Sequence, residues 1–334
     1  MQPHGVMLAT LVGEPFDDPE WIFETKWDGV RALCHIDARG GMTLRSRTGG
    51  DLKPAFPELA PLRRAFSGLP LTVDGEIVAL DEHGRSSFQR LQARINRARP
   101  DAAEVAAVPV HFVVFDLLEH AGRDVTALPL ERRRQLLQAA IVARDGVLAF
   151  SRDVRGTGKA AFAAAERAGL EGIVAKHLGS HYVGKRSRQW LKIKVQLRQE
   201  FVIGGWTQPR GSREHFGALL LGTYDGAGLR YAGSVGTGFA ARDLHEVMLR
   251  LAPLKQQRSP FIASSATPAN AHFVKPTLVA EVKFAEWTRD GSIRQPVFIG
   301  LRADKRARDV VRERPQDGSS ESAPSSRRAP RAGR

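Results

Sequence analysis

Residues Trp21–Asp37 read WIFETKWDGVRALCHID. An apolar, strand-like run ends at Lys26, Asp28 and Gly29 make a turn, and Arg31 follows at the start of a second apolar run. A lysine next to an Asp-Gly turn is most simply a surface charge. Whether Lys26 is that or a nucleophile depends on what else the chain carries at its strand ends.

Around this hairpin, residues 1–198 alternate strand-like and helix-like segments. GMTLRSRT and LTVDGEIVAL read as strands, VHFVVFDLL as a buried strand, and EGIVAKH and RQWLKIKV as strands again. SSFQRLQARINRA places Phe88, Leu91 and Ile95 at helical spacing, with Ser86 or Ser87 as N-cap. LERRRQLLQAAIVA and GTGKAAFAAAERAGL are helices, the second closed by Gly169. The pattern is α/β (α+β) with central sheets, antiparallel or mixed. After Arg198 the rhythm changes. EFVIGGWT, FGALLLGTYD and LRYAGSVG are short strands with Gly-rich turns, ARDLHEVMLRLAPL is a helix, and LVAEVKFAEWT and PVFIGLR are strands. Three strands, a helix and two strands is the order of a five-stranded OB-fold β-barrel. The expected division is 1–198, 199–311, and a disordered basic tail over 312–334, which lacks apolar core residues.

The chain has 334 residues, room for two cores. No apolar run approaches the ~18 residues of a membrane span, and the N-terminus has no basic segment leading into a long apolar one. One cysteine, Cys34, excludes a disulfide framework and a multi-cysteine zinc site. The expected compartment is the cytosol. Net charge is +14. Such an excess fits a solvated basic surface or a polyanion partner, nucleic acid above all.

Lys26 is one of a series. Alternation puts Asp74 and Glu76 on one face of their strand with Val78 and Leu80. Carboxylates among apolar residues are costly unless paired or bound to metal. Glu171 and Lys176 bracket the apolar step of EGIVAK, on opposite faces if alternation is strict. Lys192 and Lys194 share a face, as they would on an amphipathic edge strand. Chemically the set makes a nucleotide site. Arg31, Arg47, Lys176, Lys192 and Lys194 can neutralise a triphosphate. Glu76 and Glu171 can hold a hard divalent cation and a ribose hydroxyl. Phe115 can stack on a purine or simply belong to the core. Lys26 is then the nucleophile. A free lysine, with a pKa of ~10.4, must shed ~4.6 kcal/mol of proton cost to be neutral at pH 7. Burial and neighbouring cations are expected to supply much of it, with Asp28 turned elsewhere.

KWDGVR resembles the K-x-D-G-x-R motif of covalent nucleotidyltransferases: ATP-dependent DNA ligases, RNA ligases and mRNA capping enzymes. SRT (Ser46–Thr48), DGE (Asp74–Glu76), VFDLL (Val114–Leu118), EGIVAK (Glu171–Lys176), WLKIK (Trp190–Lys194) and RQPVFIGLRADK (Arg294–Lys305) follow in the family's order. The barrel phrases are similar to the ligase domain of bacterial non-homologous end-joining DNA ligases. The resemblance implies a nucleotidyltransferase (adenylation) domain followed by an OB-fold, and a DNA ligase using ATP and Mg2+ or Mn2+. It implies adenylation of Lys26, with Glu24 and Thr25 beside the adenine and Phe115 stacked on it. Arg31 and Arg47 would contact ribose and nicked-strand phosphate. Glu76 would serve ribose and metal, and Glu171 metal. Lys176, Lys192 and Lys194 would contact the AMP phosphate. Arg302, Asp304 and Lys305, with Arg294 assisting, would orient pyrophosphate. Nicked or broken duplex DNA is the implied partner, an end-bridging repair protein a further one. A monomer in the bacterial cytosol or nucleoid is expected, with no membrane association. Trp27 departs from the family's usual tyrosine. An RNA ligase or a GTP-using capping enzyme shares the starting motif. A non-catalytic OB-type DNA-binding adaptor would explain the charge but not the buried carboxylates and lysines. NAD+-dependent ligases usually carry four zinc-binding cysteines, and this chain has one.

Overall fold

The structure, a computed structural model, describes residues 5–95, 99–143, 146–209, 215–262 and 267–315. Of the tail expected over 312–334, residues 316–334 therefore lie outside the described residues.

The strands β1 (Leu8–Val12), β2 (Asp18–Thr25), β3 (Val30–Ile36), β4 (Met42–Ser46) and β5 (Leu71–Ala79) come first. Helices α1 (Phe88–Ile95) and α2 (Ala102–Ala107) lead to the long β6 (Val110–His120) and the short β7 (Arg123–Asp124). Then come α3 (Leu130–Ala140), β8 (Leu148–Phe150), β9 (Asp153–Gly156), α4 (Gly158–Arg167), β10 (Gly172–His177) and β11 (Arg186–Lys194). They form two mixed sheets. One runs β4-β3-β5-β6-β7, with β8 added parallel to β6. The other runs β1-β11-β10-β2-β9, antiparallel except for β1 with β11. α2 was not anticipated, although Asp101 and Glu104 close a reciprocal capping box at its start.

Side-chain alternation in β3 buries Val30, Ala32, Cys34 and Ile36 against Val73, Phe112, Phe88 and Leu91. Between the two sheets a second cluster holds Met7, Ile22, Phe115, Leu118, Tyr182 and Trp190. Phe115 and Leu118 reach it through two β-bulges. Val73 pairs with Leu117 and Thr72 with Glu119; Gly75 pairs with Val114 and Asp74 with Asp116. The slips leave Leu118 and Phe115 without partners and shift the alternation, so that Val114 and Leu117 share the first core while Phe115 and Leu118 share the second. Beneath β6, Arg133 of α3 grips the fully buried Asp116 with two hydrogen bonds of 2.7 and 2.8 Å, anchoring that helix.

The second part contains β12 (Arg198–Thr207), β13 (Leu219–Asp225), β14 (Gly228–Val235), α5 (Ala241–Leu251), β15 (Lys255–Gln256), β16 (Ala271–Val274), β17 (Val279–Lys283), β18 (Glu286–Trp287), β19 (Ile293–Arg294) and β20 (Val297–Leu301). β12 pairs with β13 on one edge. On the other it pairs with β17 along its first half and β16 along its second. β17 pairs with β20, and Thr237 bridges to Val297, so the sheet closes on itself around Phe201, Leu219, Leu221, Val282 and Phe298. The five principal strands and α5 follow the expected OB-fold order. The β15–β16 pair and the β18–β19 ribbon are additions. Ile299 of the barrel joins the core of Phe88 and Leu91, so α1 seats the barrel against the first part. No helix among the described residues is long and apolar enough to cross a membrane.

Candidate active site

A cleft opens where β2, β10 and β11 face the barrel. Lys26 follows β2 directly. Its backbone N–H donates to Gly172 O at 2.9 Å, and its Nζ lies 2.5 Å from Glu171 Oε2 with the side chain 21% exposed. The conflict over Glu171 and Lys176 is resolved at Gly172. Glu171 precedes β10, and Gly172 has φ +152, a conformation open essentially to glycine. Alternation is broken there, and both charges reach the same cleft. The expectation of a neutral Lys26 is corrected. Burial does lower its pKa, but Glu171, then Asp28 and Glu281, more than reverse this and hold it above the ordinary lysine value. Asp28 is not loose in the cleft: it accepts from Arg198 at 2.7 Å and from the N–H of Phe88 at 3.2 Å, at the start of α1.

Glu24 is the hub of one wall. It receives Arg134 at 2.6 Å, Lys176 at 3.0 Å and the Ser151 hydroxyl at 2.8 Å, and Ser151 in turn accepts from the indole of Trp27 at 3.0 Å. Burial lowers the Lys176 pKa, Arg134 adds to this, and Glu24 only partly restores it. The Lys176 ammonium sits 4.2 Å from the Phe115 ring centroid and 4.4 Å from that of Trp190. Thr25, paired with Ile173, lines the same cleft.

The sequence places Arg31 among the cations for a triphosphate and says that Asp74 needs a pairing partner or a metal. The structure supplies the partner in Arg31 itself, through a two-point ion pair at 2.5 Å, with Tyr182 donating to Asp74 at 2.6 Å. The guanidinium then covers the Phe115 ring at 4.6 Å. Arg47 lines the cleft half-buried and makes no ion pair among the described residues.

Glu76 stands opposite Arg31 in the β3–β5 register. Among the described residues it accepts no hydrogen bond and forms no ion pair. Burial raises it to about 7, against the pull of Arg31, Arg302 and Lys26. No three carboxylate, histidine or cysteine groups among the described residues converge as a ready-made metal cage. Mg2+ and similar hard cations use one or two carboxylates, water and substrate phosphates instead. The uncommitted Glu76, with Glu171 and the burial-raised Glu281 in the same cleft, fits that chemistry. Between the ordinary 4.5 and about 7, the folded protein keeps a proton on Glu76 that the unfolded chain releases. This contribution makes stability fall as pH rises through that window. Glu76→Gln should therefore melt above the native protein at about pH 8 and level with it at about pH 4. Equal melting temperatures at both would refute the assignment.

The barrel supplies the remaining wall. Arg302 is bidentate to Asp304 at 2.9 Å, holds Glu281 at 2.6 Å, and lies 4.2 Å over Phe88. Lys305 pairs with Glu200 at 2.7 Å. All three predicted barrel-end residues thus border the cleft. Arg294 does not, which corrects its place in the set. It lies exposed on the β18–β19 ribbon, 3.1 Å from Glu286. Lys192 and Lys194 do share a face of β11, but both hold Glu313, Lys194 at 2.9 Å. Glu313 is thus part of the site, and residues 312–315, expected in the disordered tail, are described in place against the fold. Glu313, Arg134, Arg198 and Glu281 were not singled out from sequence. None carries a local signal, since each is brought in by a distant element.

The chain belongs to the ATP-dependent DNA ligase family. Residues 7–194 match the ATP dependent DNA ligase domain, and residues 212–305 match the ATP dependent DNA ligase C terminal region. It is 43% identical over 317 residues to the multifunctional non-homologous end joining protein LigD of Pseudomonas aeruginosa, which covers 92% of this chain and 36% of that one. To the LigD of Mycobacterium bovis it is 40% identical over 298 residues, 88% of this chain and 38% of that one. A solved structure described as mycobacterial DNA ligase D complexed with ATP and MES superposes with a TM-score of 0.66 at 37% identity, covering 92% of this chain and 98% of that one. The chain spans little more than a third of the length of these curated relatives.

Proposed function

We propose that this chain is the ligase part of an end-joining repair system, sealing nicks or ends in duplex DNA through a lysyl-AMP intermediate. The observation that carries the reading is the cleft itself. One amine, Lys26, faces a cluster of cations that already holds a carboxylate anion, beside an aromatic wall. The relatives' names and the ATP in the mycobacterial structure support it.

In the proposed reaction, ATP lies with its adenine near Phe115, Glu24 and Thr25. Once its contact with Glu171 is broken, the Lys26 ammonium gives its proton to solvent and the neutral amine attacks the α-phosphorus. A nitrogen–phosphorus bond forms and the bond to pyrophosphate breaks. Lys176, Lys192 and Lys194 meet the charge on the phosphoryl oxygens, and Arg302 and Lys305 receive the leaving pyrophosphate. Arg47, uncommitted, is placed for the phosphate of the nicked strand. The AMP then passes to a 5′-phosphate, freeing Lys26, and the 3′-hydroxyl displaces AMP to join the strand. Glu76 and Glu171 would hold a divalent cation, Mg2+ or Mn2+, which when bound supplies charge neutralisation on the phosphates. Adenylation requires Glu171 to release its grip on the charged amine. The net charge of +14 fits a phosphate backbone. An end-bridging repair protein remains the proposed partner, and the DNA-containing cytosol of a bacterium the proposed compartment.

The test is incubation with labelled ATP or GTP, then with nicked DNA or nicked RNA. A covalent label from ATP alone and sealing of nicked DNA are expected. Salt-sensitive DNA binding with no nucleotide adduct would point instead to a DNA-binding adaptor.

A further inference from the structure

After β20 the chain crosses the barrel end and returns to the cleft as a strap. The Val310 carbonyl accepts from Tyr224 N–H at 2.7 Å. Gln199 then clamps the strap on both sides of residue 312: its Nε2 donates to Val311 O at 3.1 Å, and its Oε1 accepts from Glu313 N–H at 2.9 Å. The Arg312 guanidinium lies 4.3 Å over the Trp287 ring. With the backbone held so, the Glu313 carboxylate gives Oε1 to Lys192 and Oε2 to Lys194. Each oxygen of one anion is thus held by one ammonium, as two oxygens of a phosphate would be.

We propose that Glu313 is a built-in phosphate mimic, an autoinhibitory plug that fills the phosphate subsite of the nucleotide-free protein and must be displaced by ATP. The inference rests on the reading of the cleft as a nucleotide site. The strap is local and anchored on the barrel side by Tyr224, Gln199 and Trp287, while the lysines belong to β11 of the other part. Moving the barrel relative to β11 therefore opens the subsite and withdraws the plug in one motion. Electrostatics favours occupancy. Burial would raise the Glu313 pKa, yet Lys192 and Lys194 bring it down to about 2. Burial and Lys194 depress Lys192 to about 8, so the lysine pair is costly to leave without an anion. ATP must therefore compete with a carboxylate already in place.

The experiment is to measure, for the native protein, Glu313→Gln and Glu313→Ala, the ATP concentration giving half-maximal lysyl-AMP formation. Losing a doubly charge-assisted contact should lower that concentration by about tenfold or more in Glu313→Ala, with Glu313→Gln between. Tripolyphosphate binding, followed by calorimetry without any adduct chemistry, should tighten in the same order. Unchanged or weaker ATP use and unchanged or weaker tripolyphosphate binding would overturn the plug and leave Glu313 as a brace between the two parts. If no adduct forms in any protein but tripolyphosphate still binds more tightly to the variants, the plug stands and the ligase reading fails. Folding is checked by the melting temperature, and the isosteric Glu313→Gln carries the comparison should Glu313→Ala not fold.

Discussion

Lys26→Ala is expected to form no covalent AMP and to seal no nicks, a complete loss rather than a reduction. Lys26 is where an amine and the cation cluster coincide, and among the cleft lysines its ammonium is the one paired with Glu171, at 2.5 Å. Lys176 is pinned by Glu24, and Lys192 and Lys194 by Glu313. Lys26 too must leave its buried counter-ion, so what sets it apart is its place directly after β2 at the head of KWDGVR. Lys26→Arg sharpens the test. It keeps a positive charge beside Glu171 but cannot be deprotonated, so it should fold like the native protein and still form no adduct. The measurement is retention of labelled AMP on denatured protein. Native-level label on Lys26→Ala would remove Lys26 from its role and the proposed first step with it.

Gly172→Ala should cost about 4 kcal/mol of stability and remove most of the adduct. Two penalties combine. The backbone sits at φ +152, where a side chain is strained. An added Cβ would lie 2.1 Å from the Ile193 carbonyl oxygen and 2.9 Å from Lys194 Cα, both backbone atoms of β11 that cannot step aside. Relief requires β10 and β11 to part at the Gly172–Lys194 pair, which moves Lys194. The Gly172 carbonyl also holds the N–H of Lys26, and its neighbour is Glu171. A single methyl therefore disturbs three site residues. Gly226→Ala is the control, since nothing lies within 4 Å of its added Cβ. Denaturant unfolding compares the two, and a Gly172→Ala protein unfolding at the native midpoint would contradict the geometry described.

Much of this site was legible because its residues sit at strand ends, where period-two alternation is readable. Lys192 and Lys194 share a face as alternation demands, and the barrel-end triad of Arg302, Asp304 and Lys305 borders the cleft. Alternation failed where the backbone leaves it. The bulges of β6 bring Leu118 to the face of Phe115, three residues before it, and Gly172 turns Glu171. The N-cap of α1 was readable: Ser87 Oγ accepts from Arg90 N–H at 3.3 Å. The equally local capping box of α2 was overlooked. Arg294 was misjudged because a motif's order says which residues follow one another, not which face they take. Its two-residue strand lies on a ribbon outside the barrel's closure.

What the sequence determined by itself is the order of elements and the two-part build, because backbone propensity and side-chain periodicity are local. What only the tertiary structure decided is who neutralises whom: Arg31 with Asp74, Arg134 and Lys176 with Glu24, Glu313 with two lysines. Coulomb pairing in a buried cleft is fixed by distances of a few ångströms between residues separated by 43 to 152 positions in the chain. No local pattern encodes such a separation.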